Sequence, residues 1–202
     1  MTSTRSIALL GVACDLVASG TGAHLVLRVL LAAAVLVALL RVDRRSAVLL
    51  GLQLRPHPDS LKPVLIVSLA SVALACVVVW WTWPLYAVGL PPDSRMLRAA
   101  TQSVLVAPVV EEFFYRAVLM GCLFSRSRFW FRVTVSTAIF TLLHWLYGDA
   151  HPMYVGAGLA FAVAFASSRT IWVPILLHSV GNASIWLWNV LVWQVCGSSL
   201  CG

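Results

Sequence analysis

"VVEEFFYRAVL", residues 110–120, sets two adjacent carboxylates and an arginine inside an otherwise apolar run. How this stretch is read decides the fold. Three charges within six residues suit the wet face of a soluble helix. In a helix that crosses a bilayer, each costs about 2.5–3.5 kcal/mol at the centre on the insertion scale.

The surroundings favour the bilayer. Of the 202 residues 61% are hydrophobic and 10% charged, with a mean hydropathy of +0.93. A soluble domain has about 45–50% apolar and about 25% charged residues. The chain therefore reads as a single integral membrane domain over residues 1–202, an all-α polytopic transmembrane bundle. A span needs about 20 mostly apolar residues. Residues 6–22, 23–40, 63–88, 97–124, 130–147, 153–167 and 171–195 supply about seven spans, with six or eight also admissible.

Several details refine that reading. Asp15 breaks the apolar core of the first segment, which is expected to be a retained helix rather than a signal peptide. Arg28 lies close enough to one end of the second to snorkel. "AVLLGLQL" (47–54) is too short to span and is expected in the interface. "WWTWPLY" (80–86) suits the headgroup level, and the small residues of "GAGLAFAVAFASS" (156–168) permit close helix packing.

The net charge of +7 is almost all arginine, Lys62 being the one lysine. The arginines punctuate apolar segments instead of forming a soluble patch, which argues against nucleic acid and for topology control beside anionic lipid. Arg41, Arg44, Arg45, Arg55 and Lys62, then Arg126, Arg128 and Arg132, then Arg169 fall on one side. Only Arg95 and Arg98 fall between spans on the other. The positive-inside rule makes the rich side cytoplasmic, with the N-terminus in and the C-terminus out, in the plasma (inner) membrane. The five cysteines lack metal-type spacing, although Cys196 and Cys201 could pair in an oxidising compartment.

Helical geometry separates the three opening charges. Glu112 and Arg116 are four apart and share a face, so they can pair. Glu111 is turned about 100° away and is less easily neutralised by that arginine. A carboxylate in an apolar cavity can serve as a general base. Later segments supply partners: "FTLLH" puts Phe140 and His144 on one helical face, and "HSVGN" does the same for His178 and Asn182. His24, His57 and His151 lie at ends or in loops. Pro108 and Pro174 each precede a polar cluster and can start or kink a helix there.

The polar set is thus Glu111, Glu112, Arg116, His144, His178 and Asn182, from three segments. Two chemistries fit. A glutamate and a histidine activate water while the other histidine and the asparagine hold an oxyanion, or glutamate and histidines bind zinc. The H-E-x-x-H signature is absent.

The three boxes "EEFFYR", "FTLLH" and "HSVGN" resemble, in order, the EExxxR, FxxxH and HxxxN/B boxes of the CPBP family. These are the CAAX-prenyl-protease and bacteriocin-processing (Abi) membrane endopeptidases. The resemblance covers roughly residues 105–185, with a catalytic core over 97–195. It implies a glutamate-dependent intramembrane endopeptidase with Glu111 as base and His144 holding or activating the water. By the same resemblance His178 and Asn182 stabilise the oxyanion, and Glu112 and Arg116 orient the site. No cofactor is expected. Zinc, on Glu111, His144 and His178, is the alternative. The expected partner is a membrane-anchored or C-terminally tagged protein substrate, with C-terminal protein sorting as the preferred role. A non-catalytic immunity or partner-binding protein is a competing reading. So is a small transporter, which the lack of an inverted repeat disfavours.

Overall fold

The computed structural model describes residues 2–20, 25–43, 45–82, 93–147 and 150–196. In order these form α1 (Thr2–Gly20), α2 (Leu25–Val42), a single turn α3 (Ser46–Leu49), a 3₁₀ turn (Pro58–Ser60) and α4 (Leu61–Thr82). There follow α5 (Ser94–Thr101), α6 (Ala107–Glu112), α7 (Phe129–Tyr147), α8 (Met153–Ser168) and α9 (Trp172–Cys196). The described residues contain no strand. Hydrocarbon offers no partner for a bare N–H or C=O, and a helix satisfies its own. Leu25–Val42, Phe129–Leu146 and Trp172–Gln194 are long and apolar enough to cross a membrane, and α8 is a shorter apolar helix.

The bundle has an apolar core that also encloses charged side chains, and an apolar outer surface. Leu27, Leu30, Leu69, Leu176 and Leu187 point outward, while Asp15, Glu112 and Arg116 are fully buried. α8 is the central rod, packed against α4, α7 and α9. Its small residues allow this: Gly156, Gly158, Ala160, Ala162 and Ala164 are all buried. α1 packs on α2 and on the segment that follows α6.

The expected span 97–124 departs from one regular α-helix. It runs from α5 through a π-helical stretch (Gln102–Val106) into α6, then through a second π stretch (Phe113–Leu123). Asp93 caps its start by accepting from the Met96 N–H at 2.8 Å. Pro108 lies in the first turn of α6, where its missing N–H is tolerated. Widened turns of this kind are frequent at functional sites.

The segment at 47–54 also departs from expectation: it docks on protein. Leu50 is fully buried, and Gly51 accepts from the Ile171 N–H at 2.9 Å. The Thr170 hydroxyl donates to the Gln53 carbonyl, the Gln53 amide donates to the Arg169 carbonyl, and the His57 N–H donates to the Ser168 carbonyl. Gly51 makes the reversal with a φ of +69°. This hook seats on the second π stretch where Gly121 offers no side chain, for a Cβ there would stand 2.0 Å from the Leu49 carbonyl oxygen. The aromatic side chains at 80–86 and the Cys196–Cys201 pairing fall outside the described residues.

Two glycines should therefore respond oppositely. Gly121→Ala forces the hook off its seat and should cost about 1–3 kcal/mol or more. At Gly181, in α9, a Cβ would meet nothing within 4 Å, so Gly181→Ala should be neutral or gain about 0.5–1 kcal/mol from helix propensity. Thermal unfolding in detergent distinguishes the two.

Candidate active site

Glu112 is the hub. It sits at the end of α6 with no exposure, and its two oxygens face different helices. Oε2 lies 3.1 Å from Arg116 Nε, the expected i,i+4 pair, and Oε1 lies 2.8 Å from His178 Nδ1 on α9. Arg116, also without exposure, donates from Nη2 to the Gly158 carbonyl on α8 at 3.2 Å. Its guanidinium lies over the Phe140 ring at 4.8 Å and near the Phe161 ring at 5.6 Å. His178 stacks on Phe161, with centroids 4.6 Å apart. One carboxylate thus joins α6, α8 and α9. Isolated buried charges cost several kcal/mol each, and this mutual pairing is what makes them tolerable.

Glu111 belongs to a different network. Its side chain is 14% exposed, and Oε1 lies 3.9 Å from Arg28 Nη1 on α2. Its other oxygen is buried and has no hydrogen-bond partner among the described residues. The expected separation of the two glutamates onto different faces is what the structure holds.

The histidines are oriented by groups that only accept. His144 Nδ1 lies 2.9 Å from the Phe140 carbonyl, and His178 Nδ1 faces the Glu112 carboxylate. Each therefore carries a proton on Nδ1 and donates it, leaving Nε2 with a lone pair when neutral. The His144 ring is held between Phe140 and Tyr154, both with centroids 4.3 Å away. Among the described residues neither histidine hydrogen-bonds Glu111. Asn182, one turn beyond His178, donates to the Ser103 carbonyl at 2.7 Å, and the Trp186 indole donates to the Ser103 hydroxyl.

Two expectations are corrected. Arg28 does not snorkel: it turns inward, donating from Nε and Nη2 to Asp15 at 2.8 and 3.1 Å. Asp15 is accordingly a fully buried ion-pair partner rather than a flaw in the first helix. The Tyr115 hydroxyl donates to Asp15 at 3.0 Å, and Ser136 donates to the Tyr115 carbonyl at 2.9 Å. Of these residues, Asp15 and Arg28 carried a signal in sequence, as opposite charges in adjacent apolar segments. Ser103, Phe161 and Trp186 carried none. His151 is buried but structural, accepting from the Met153 N–H at the start of α8.

Residues 94–184 match the family model described as type II CAAX prenyl endopeptidase Rce1-like. Over those residues the chain is similar to that family. The match takes in all six candidate residues and leaves out α1 and α2. Over 85 residues the chain is 32% identical to "Putative membrane peptidase YdiL" of Bacillus subtilis, covering 41% of this chain and 34% of that protein. Over 95 residues it is 30% identical to the membrane-embedded CAAX protease MroQ of Staphylococcus aureus, covering 43% and 37%. The chain thus spans about a third of the length of the curated relatives it matches. No solved structure matches it significantly. The family resemblance read from the three boxes is borne out by these matches, and the similarity to CAAX-type membrane peptidases lies in the second half of the chain.

No three His, Cys, Asp or Glu side chains among the described residues are grouped to hold a metal ion. Glu111, His144 and His178 do not form such a group among those residues.

Breaking the hub should be costly in a characteristic way. Arg116→Met leaves Glu112 buried beside His178 without its cation and should destabilise by about 3–5 kcal/mol. The double variant Arg116→Met/Glu112→Gln should lose less than Arg116→Met alone, because no uncompensated charge remains. Thermal melts of the three proteins give the comparison.

Proposed function

We propose that the chain is an intramembrane endopeptidase that hydrolyses a peptide bond near the C-terminus of a membrane-associated protein, without a metal. The observation that carries this reading is the division of the glutamates. Glu112 has Arg116 at ion-pair distance on one oxygen and a hydrogen bond to His178 on the other, whereas Glu111 has Arg28 only at 3.9 Å on one oxygen and its other oxygen buried with no hydrogen-bond partner among the described residues. A carboxylate so placed can take a proton from water.

In the proposed reaction Glu111 accepts that proton, and the water oxygen bonds to the scissile carbonyl carbon. His144, with its Nε2 lone pair, orients the water. The carbonyl π electrons move to oxygen, and the oxyanion accepts from the second Asn182 N–H and from His178 Nε2–H. The latter exists only when His178 is protonated on both nitrogens, with Glu112 as its counter-charge. As the C–N bond breaks, the proton on Glu111 passes to the leaving nitrogen, giving a carboxylic acid and an amine. Arg116 holds Glu112 aligned, and so acts through it.

The proposed substrate is a membrane-anchored or C-terminally tagged protein, and the proposed role is C-terminal protein sorting. The names of the relatives support peptidase chemistry in a membrane. The arginine distribution supports a plasma (inner) membrane location with the N-terminus cytoplasmic and the C-terminus outside.

The test is cleavage of a fluorescent protein carrying a C-terminal apolar helix and basic tail, co-reconstituted with the full chain. Glu111→Gln should lower the rate by about 10²–10⁴-fold while the protein still inserts and melts cooperatively. Activity should persist in a metal-free preparation after chelation. Full activity in Glu111→Gln removes the assigned base, and loss on chelation restored by zinc removes the metal-free reading.

A further inference from the structure

Asp15, Arg28 and Tyr115 form a buried network that ends at Glu111, and two of its three members lie outside the Rce1-like match. We propose that Arg28, fixed by Asp15 and Tyr115, is a positioning residue for Glu111, so that the α1–α2 hairpin completes the site. This rests on the reading of Glu111 as base.

The geometry explains why three groups are needed. Arg28 gives its Nε and one terminal nitrogen to the two oxygens of Asp15, at 2.8 and 3.1 Å. That fork fixes the guanidinium plane. The remaining nitrogen, Nη1, faces Glu111 Oε1 at 3.9 Å, beyond hydrogen-bond length but well inside Coulomb range. A free arginine would close on Glu111 and form a bidentate pair, occupying both oxygens. Held by Asp15, it orients the carboxylate through one oxygen and leaves the other open. One cation then serves two anions, so Glu111 is held in place without being fully neutralised. Tyr115, four residues beyond Glu111 in the π stretch that continues α6, ties Asp15 to the segment next to the base. A cation placed only to offset Asp15 would not need its third nitrogen aimed at Glu111.

Two measurements on the full chain test this. In the reporter assay Arg28→Gln should lower kcat by about tenfold or more with KM within twofold. Arg28→Lys, which keeps the cation, should recover at least a third of the lost activity. Asp15→Asn frees Arg28 to close on Glu111 and should also lower kcat while Arg28 remains present. Independently of activity, melting temperatures of Arg28→Gln, Glu111→Gln and the double variant should be non-additive, as for groups in contact. Additive melting shifts, or wild-type kcat in Arg28→Gln, overturn the inference. A wild-type chain that cleaves no reporter overturns the endopeptidase reading instead, and the melting cycle still decides whether Arg28 holds Glu111.

Discussion

Everything near the site depends on holding the carboxylate of Glu112 where it is fully buried. A lone carboxylate in such a place would be neutralised or would drag solvent inward. Arg116 and His178 prevent this from either side, and each is itself braced: Arg116 by the Gly158 carbonyl and two aromatic rings, His178 by the face of Phe161. The small residues of α8 follow from the same requirement. Only a slender helix lets the guanidinium reach a backbone carbonyl on its neighbour.

With Glu112 satisfied, the next residue along the chain is released for other work. The two glutamates are adjacent in sequence yet answer to different helices: Glu112 to α8 and α9, Glu111 to α2. Burial alone does not separate them; their partners do. The widened turns flanking α6 loosen strict helical register on both sides of the pair.

Much of this could be read from the chain itself. Apolar run lengths placed the long helices, and four-residue spacing paired Glu112 with Arg116. A turn of about 100° put Glu111 on another face. What could not be read has common causes. The π stretches have no distinct residue signature, so the segment 97–124 looked like a uniform α-helix. The hook at 47–54 looked interfacial because its docking partners, Gly121 and Ile171, are remote in sequence. Arg28 looked like a snorkelling residue because its distance from the helix end was visible and Asp15's inward direction was not. The bond from His178 to Glu112 rather than Glu111 depends on how α9 packs, which spacing within α9 does not encode.

Phe161 has a consequence of its own. A single ring on α8 meets the Arg116 guanidinium and the His178 imidazole at once, so it works as a gauge block between the anion's two guardians. α8 is pressed by α4 on one flank and α9 on another. Any shift of α8 against its neighbours would therefore carry Phe161 with it and change the spacing of Arg116 and His178 together.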